Sequence, residues 1–443
     1  MDPILQQESP TARAYASHLT FWAISLVYFF WPYHDVPTFL LVGKLLFLPP
    51  FFILGKEILS LPKKHRCLYG LFAAGLGYLF WAYYSVSWSV VPWRTFKHVS
   101  EEVLFNLIVF ITAMFWSYKA PWPQVKRLVR YVSFSFLFSI LVYFLFYAWW
   151  FWKGPLFPVE GSPPHADPLS LLFLLSDWND LLLNRQNLAS YFLFPASMAL
   201  GYLLYHSERK KFLKGFFFFL LSVGMIFITS KRSALLGLFV GGLVGGVLTK
   251  RFKVLGLWIC FFAFVLALIV ATPLKRFFVR ENFYLLFHGN REAWKTAGSI
   301  PMRYYGLPYY LNYIKKHLWK GIGFGRFNIK KNPVTRALAR KAHLAHAHNV
   351  FLNMVLHLGI VGALAFVSFL FFKLWCLLKG LFSREGPENW LLLGFFIYFL
   401  AFWIRYQFDD SFHYATSALY YLNTGLGVGL ALKSQSSHLL SSR

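Results

Sequence analysis

The chain has 443 residues, of which 58% are hydrophobic and 21% aromatic against 14% charged, more apolar surface than a water-soluble core of this size can hide. That balance excludes a soluble enzyme. The 44 Lys and Arg against 17 Asp and Glu leave a formal charge of +27, which in so apolar a chain belongs in loops and at helix ends, where anionic lipid or an acidic substrate meets it.

From the N-terminus, polar residues such as Asp2, Gln6 and Glu8 come first, without the basic stretch and cleavage site of a removable signal, so the first apolar run is expected to stay as an anchor. Apolar runs between charged or proline-rich breaks then predict helices over 15–31, 37–54, 68–91, 103–116, 132–152, 188–205, 212–229, 234–248, 254–271, 350–378, 391–404 and 414–432. The fold class is thus an all-α integral membrane protein with about twelve transmembrane helices. Three segments follow from it: 1–271, a long loop at 272–347, and 348–443. Cys67, Cys260 and Cys376 lie far apart and form no C-x-x-C pair, so neither zinc nor a disulfide enters the reading.

Alternate short loops hold Lys56, Lys63, Lys64 and Arg66, then Lys119, Lys126, Arg127 and Arg130, then Arg209, Lys210, Lys211 and Lys214, then Lys250, Arg251 and Lys253. The positive-inside rule puts these loops and both termini on the cytoplasmic side. The outward face then receives 153–187, the turn at Arg232, and the long loop, which carries fifteen basic residues against Glu281 and Glu292. Long loops translocate largely regardless of charge, so the topology stands. Attraction to anionic headgroups accounts for the scattered lysines. Within the loop, 304–319 mixes aromatics with Lys315 and Lys316 and predicts a helix lying along the bilayer surface.

Three outward elements are expected to meet: the turn Thr229-Ser230-Lys231-Arg232-Ser233, the segment Asn290-Arg291-Glu292-Ala293-Trp294, and the run from His343 to Asn349. Fixed guanidinium groups suit a phosphate-bearing leaving group, which they neutralise through bidentate contacts. Neutral imidazole at position 348 suits proton removal, and the positive end of the helix that follows disfavours imidazolium there. The same helix end alternatively receives a phosphate oxygen. Each residue also has a plainer reading. Arg232 is otherwise a headgroup anchor. The region of Arg185 and Asn187 is either a helix cap or the donor side of the same cavity. Gly321, Gly323 and Gly325 make turns or cradle phosphate. Asp409 and Asp410, after Arg405, are a salt-bridged helix end or orient His348. His343, His346 and His348 invite a zinc reading, but no nearby Cys or carboxylate completes the set, and no metal is expected.

His348 and Asn349 are followed by nine residues, Gly359, two residues and Gly362. This spacing resembles the motif of the O-antigen ligases and, more broadly, of the O-antigen ligase and polymerase superfamily of membrane glycosyltransferases. The resemblance extends to the helix number, the long outward loop before the motif, Arg232 in its short turn, Arg291 with Trp294, and the Gly321–Gly325 stretch. His357 departs from it, since the family often has an acidic residue between the histidine and the first glycine. The resemblance implies a GT-C-like fold and transfer of a glycan from undecaprenyl pyrophosphate to a hydroxyl of lipid A core. The reaction would run at the periplasmic face of a bacterial inner membrane, metal-independent, inverting and without cofactor. His348 would be the general base. Arg232 and Arg291 would hold the pyrophosphate, with Asn349, Arg303 and Arg185 as further substrate-binding residues. Partners would be the lipid-linked glycan, lipid A core and membrane lipids, with no nucleic acid. The nearest rival is an O-antigen polymerase, whose acceptor is another carrier-linked repeat. A lipid-linked oligosaccharide transporter is the rival from another class, and it should carry polar residues or broken helices at mid-membrane depth.

Overall fold

The computed structural model describes residues 10–30, 42–153, 185–206, 208–229, 231–271, 299–342, 347–383, 389–408 and 414–441. Every regular element among them is helical. That is the form in which a chain without water satisfies each backbone N–H and C=O within its own segment.

The helices are α1 (Pro10–Phe30), α2 (Leu48–Ile53), α3 (Gly55–Lys64), α4 (Cys67–Tyr84), α5 (Pro92–Val99), α6 (Phe105–Lys119), α7 (Trp122–Lys153), α8 (Arg185–Tyr205) and α9 (Arg209–Ile228). Then come α10 (Arg232–Leu248), α11 (Phe252–Ala271), α12 (Ser299–Lys316), α13 (Arg326–Lys331), α14 (Pro333–Ala342), α15 (Val350–Ser383), α16 (Asn389–Arg405) and α17 (Tyr414–Ser441). Among the described residues six helices are long and apolar enough to cross a membrane, or seven if one bent pair is a single span. The expected twelve are not reached on that measure, and three of the helices that fall short show why. Helices α10 and α16 are apolar but short. Helix α17 buries Thr416, Ser417, Asn423 and Thr424, which makes it polar for a span because it lies inside the bundle.

Several boundaries differ from expectation: α4 ends at Tyr84, α7 begins at Trp122 and takes in Lys126, Arg127 and Arg130, which the sequence places in a loop, and α17 runs on to Ser441. The helix predicted over 37–54 ends where expected, but after a 70° bend Gly55–Lys63 continues as a second helix where a basic loop was expected. Prolines in the first turn of α2 cost no hydrogen bond there. The short helix predicted over 103–116 instead begins at Pro92, because α5, a π turn at Ser100–Leu104 and α6 form one run of 28 residues. Its polar residues find partners: Lys44 donates to the Glu101 carbonyl at 2.7 Å, and His98 Nδ1 lies 3.0 Å from Glu102 Oε1.

The centre of the bundle pairs α17 with α6, α16 with α8 and α10, and α15 with α4 and α17. Polar cross-links tie these pairs. Asn106 Nδ2 donates to Ser417 Oγ at 2.9 Å, Ser117 Oγ to the Leu426 carbonyl at 3.0 Å, and Tyr28 to Asn423. Each is worth roughly 0.6 kcal/mol in a bilayer. At one face Glu57 meets both Arg13 at 3.0 Å and Lys119 at 3.8 Å. This basic face also receives the start of α9 and the end of α10.

Candidate functional site

The face opposite the basic one is defined by helix pairing. Helices α10 and α16 run antiparallel, with Gly237 against the Ala401 carbonyl and Gly241 against Ile397. Arg232, the first residue of α10, therefore lies about 7.5 Å beyond that crossing, on the side where α16 ends at Arg405. The Tyr406 carbonyl accepts the Val350 amide at 3.1 Å. The start of α15, and His348 with it, thus shares this face with Arg232. Ser190, in the second turn of α8, bonds the Tyr406 hydroxyl at 3.0 Å and accepts a hydrogen bond from the buried Arg405 guanidinium. That brings Arg185, which opens α8, to the same end of the bundle.

Local chemistry fixes the backbone around His348. Asn349 Oδ1 accepts the amides of Phe351 at 3.0 Å and Leu352 at 3.1 Å, an N-terminal cap for α15. Its Nδ2 donates to the Gln407 carbonyl at 3.3 Å and to Gln407 Oε1 at 3.0 Å. On the other side the Ala347 amide donates to Oδ1 of buried Asn353 at 3.1 Å. Between these clamps His348 adopts φ 49°, a left-handed conformation that costs an ordinary residue roughly 1–2 kcal/mol. The carboxamide of Asn349 is occupied with the helix end and with Gln407, so it acts on the neighbouring imidazole by holding its backbone.

The second half of the motif is a break in α15. Gly359 has φ 69° and ψ −175°, a region only glycine occupies without strain. The break exposes backbone groups, and four of them are met from outside the helix. Leu356 and His357 carbonyls accept the amides of Ile322 at 3.0 Å and Gly323 at 2.9 Å, while the Ile360 amide donates to the Leu318 carbonyl at 2.7 Å. The Trp81 indole donates to the Leu358 carbonyl at 2.7 Å. Approach this close needs glycine on both sides: a methyl group at Gly321 would stand 2.6 Å from the His357 carbonyl group, and one at Gly359 would meet the Trp319 carbonyl. The phosphate-cradle reading of this glycine stretch is thereby corrected, since the Gly323 amide is spent on α15 and the Gly321 amide on the His317 carbonyl at 3.2 Å.

The same strap is pinned to the other side of the bundle. The Phe324 amide donates to Ser85 Oγ at 3.1 Å, and Asn328 bonds Ser89 at 2.9 Å and Thr95 at 3.1 Å. Helix α12 covers 299–316 where a surface helix was expected over 304–319, and its Tyr310, Tyr313 and Ile314 pack with Ile322, Ile329 and Leu356. Burial raises the Tyr313 hydroxyl above its ordinary pKa, so it stays a neutral group. Arg303, half-buried, lies two turns before Tyr310 and on the same face of α12.

Geometry thus gathers Arg232, His348 and the start of α8 at one rim and places Arg303 on the strap side. Arg291, Trp294, His343, His346, Asp409 and Asp410 lie outside the described residues. Sequence reasoning missed Gln407, Tyr406, Ser190, Asn353 and Trp81. Only Asn353, one helical turn after the cap, left a recognisable spacing.

A multi-pass helical membrane protein with a polar rim built around a broken helix is the class these features define. Residues 217–367 are similar to the O-antigen ligase family, whose members are glycosyltransferase-like enzymes. The matched span runs from α9 through the Gly359 break and includes Arg232, Arg291 and His348. No curated protein matches the chain.

Proposed function

We propose that the protein transfers a glycan from an undecaprenyl pyrophosphate carrier to a hydroxyl of lipid A core, at the outward face of a bacterial inner membrane. The observation that carries this reading is the shared rim of Arg232 and His348, reached through the α10–α16–α15 contacts and lying inside the family-matched span. In the proposed step the acceptor O–H gives its proton to the His348 imidazole as its oxygen attacks the anomeric carbon. The bond from that carbon to the pyrophosphate oxygen breaks, and the leaving group departs with the electron pair. Arg232 and Arg291 neutralise the charge that develops, with Arg303 and Arg185 as further contacts to the donor. Attack opposite the leaving group inverts the anomeric configuration, and the arginines do the work a divalent ion does elsewhere. Asn349 serves by positioning: it holds the left-handed backbone that presents the imidazole.

The test combines purified protein with carrier-linked glycan, with and without lipid A core, in chelator, and separates products on a gel. Product only with core lipid supports ligation. Chain extension without core lipid identifies a polymerase, a need for added metal removes the arginine mechanism, and glycan translocation without covalent product identifies a transporter. His348→Ala should lower transfer at least about a hundredfold while leaving the protein extractable and monodisperse; retained activity discards the base.

A further inference from the structure

A cavity of about 460 Å³ lies between α7 and the wall formed by α8, α9, α16 and α17, a size within the range of roughly 300–1,000 Å³ typical of ligand sites. It stands apart from the rim described above. Lys214 lines it, exposed near the start of α9, and Lys214 and Ile228 are separated by about 21 Å along α9, with Arg232 beyond.

The lining is mostly apolar. Tyr28, Ser117 and Ser133 line the interior, but their hydroxyls are committed to Asn423, to the Met114 and Leu426 carbonyls, and to the Val129 carbonyl. Phe136, Phe194, Phe395, Leu391 and Leu430 are among the apolar residues that complete the lining. Apart from the Trp116 indole N–H, a buried donor with no hydrogen-bond partner, the lining offers little to a polar occupant and suits a chain of methylenes.

The mouth asks for the opposite chemistry. Arg130 from α7 and Lys214 from α9 stand at one end, and among the described residues neither takes part in an ion pair. Their neighbours are spent: Arg127 lies over the Phe21 and Tyr131 rings, and Lys211 bonds Glu208 at 2.7 Å. Phe134 and Leu137, which line the α7 side, are exposed, so the gap opens sideways toward lipid. The sequence places both cations on the face that the positive-inside rule makes cytoplasmic, where the leaflet is anionic.

We infer that this cavity binds an anionic membrane phospholipid, with one acyl chain between α7 and the bundle and the phosphate between Arg130 and Lys214. Helix α7 packs on the bundle chiefly through α1, and the bound chain completes its contact with α8 and α9. This assignment does not depend on the transfer reaction.

The test uses the full chain, purified, stripped of lipid and returned to vesicles of phosphatidylglycerol or of phosphatidylcholine. Phosphatidylglycerol should co-purify with the unstripped protein and should raise the unfolding temperature of the stripped protein more than phosphatidylcholine does. The double variant Arg130→Gln/Lys214→Gln should bind phosphatidylglycerol about thirtyfold more weakly, from the loss of two surface cations. Ala199→Phe, which fills the cavity and keeps both cations, should lose the lipid through volume alone. Equal binding of the two lipids, unchanged retention in either variant, or recovery of a polyprenyl phosphate in place of a phospholipid would overturn the assignment.

Discussion

Helices α8 and α11 are both apolar spans, yet 78% of one is buried inside the protein and 11% of the other. The less apolar helix is the interior one. Helix α8 presents Ser190 and Ser197 to its neighbours and lets α16 approach at Gly201, whereas α11 turns Leu257, Phe264 and Leu266 outward and buries chiefly Trp258 and Ile269. In lipid, hydrophobicity does not drive a helix inward, because hydrocarbon tails are as apolar as leucine. Small and polar residues therefore mark the interior, and unbroken apolarity marks the lipid boundary.

The sharpest way to break that contrast is to put a side chain where backbones touch. Gly359→Ala adds a methyl group against the Trp319 carbonyl at a left-handed position, and the combined strain and overlap should cost about 4 kcal/mol. A loss of monodisperse protein on size exclusion, or a large fall in unfolding temperature, is the expected reading. Matched substitutions come next. Gly237→Leu collides with the Ala401 carbonyl between α10 and α16, while Gly256→Leu on α11 meets open space. The first should destabilise by about 2–3 kcal/mol, the second by less than about 0.5 kcal/mol. Equal unfolding temperatures for the two variants would contradict the assignment of inner and outer helices. Below the Gly237 variant in expected cost comes Asn349→Ala, which removes the α15 cap and the link to Gln407 at about 1 kcal/mol. Its transfer rate should fall more than its stability does, and comparing kcat with unfolding temperature separates the two.

Much of the fold was legible because apolar runs and basic breaks are written locally. Most predicted helices are present with ends moved by a few residues, and the basic clusters correctly anticipate one common face. Two kinds of feature were not legible. Polar residues such as Thr95, His98 and Glu102 read as loop, but they lie within the run from Pro92 to Lys119 because Asn328 and neighbouring residues in the fold satisfy them. The motif spacing picks out Gly359, but nothing local discloses that the Gly321–Gly323 backbone docks into a break there. Of the site, Arg232 and His348 stood out by charge and spacing. Gln407 and Ser190 are ordinary residues whose importance comes from which helix ends meet.

The docking of the strap on α15 has a consequence for how this region tolerates change. Three of its bonds join main chain to main chain, from Leu318, Ile322 and Gly323 to Ile360, Leu356 and His357. Swapping a side chain there leaves the donors and acceptors intact, whereas inserting or deleting one residue shifts every partner out of reach. Apart from the glycines at 321 and 359, where a Cβ would collide, sequence length between these points is more constrained than the chemical character of the intervening side chains.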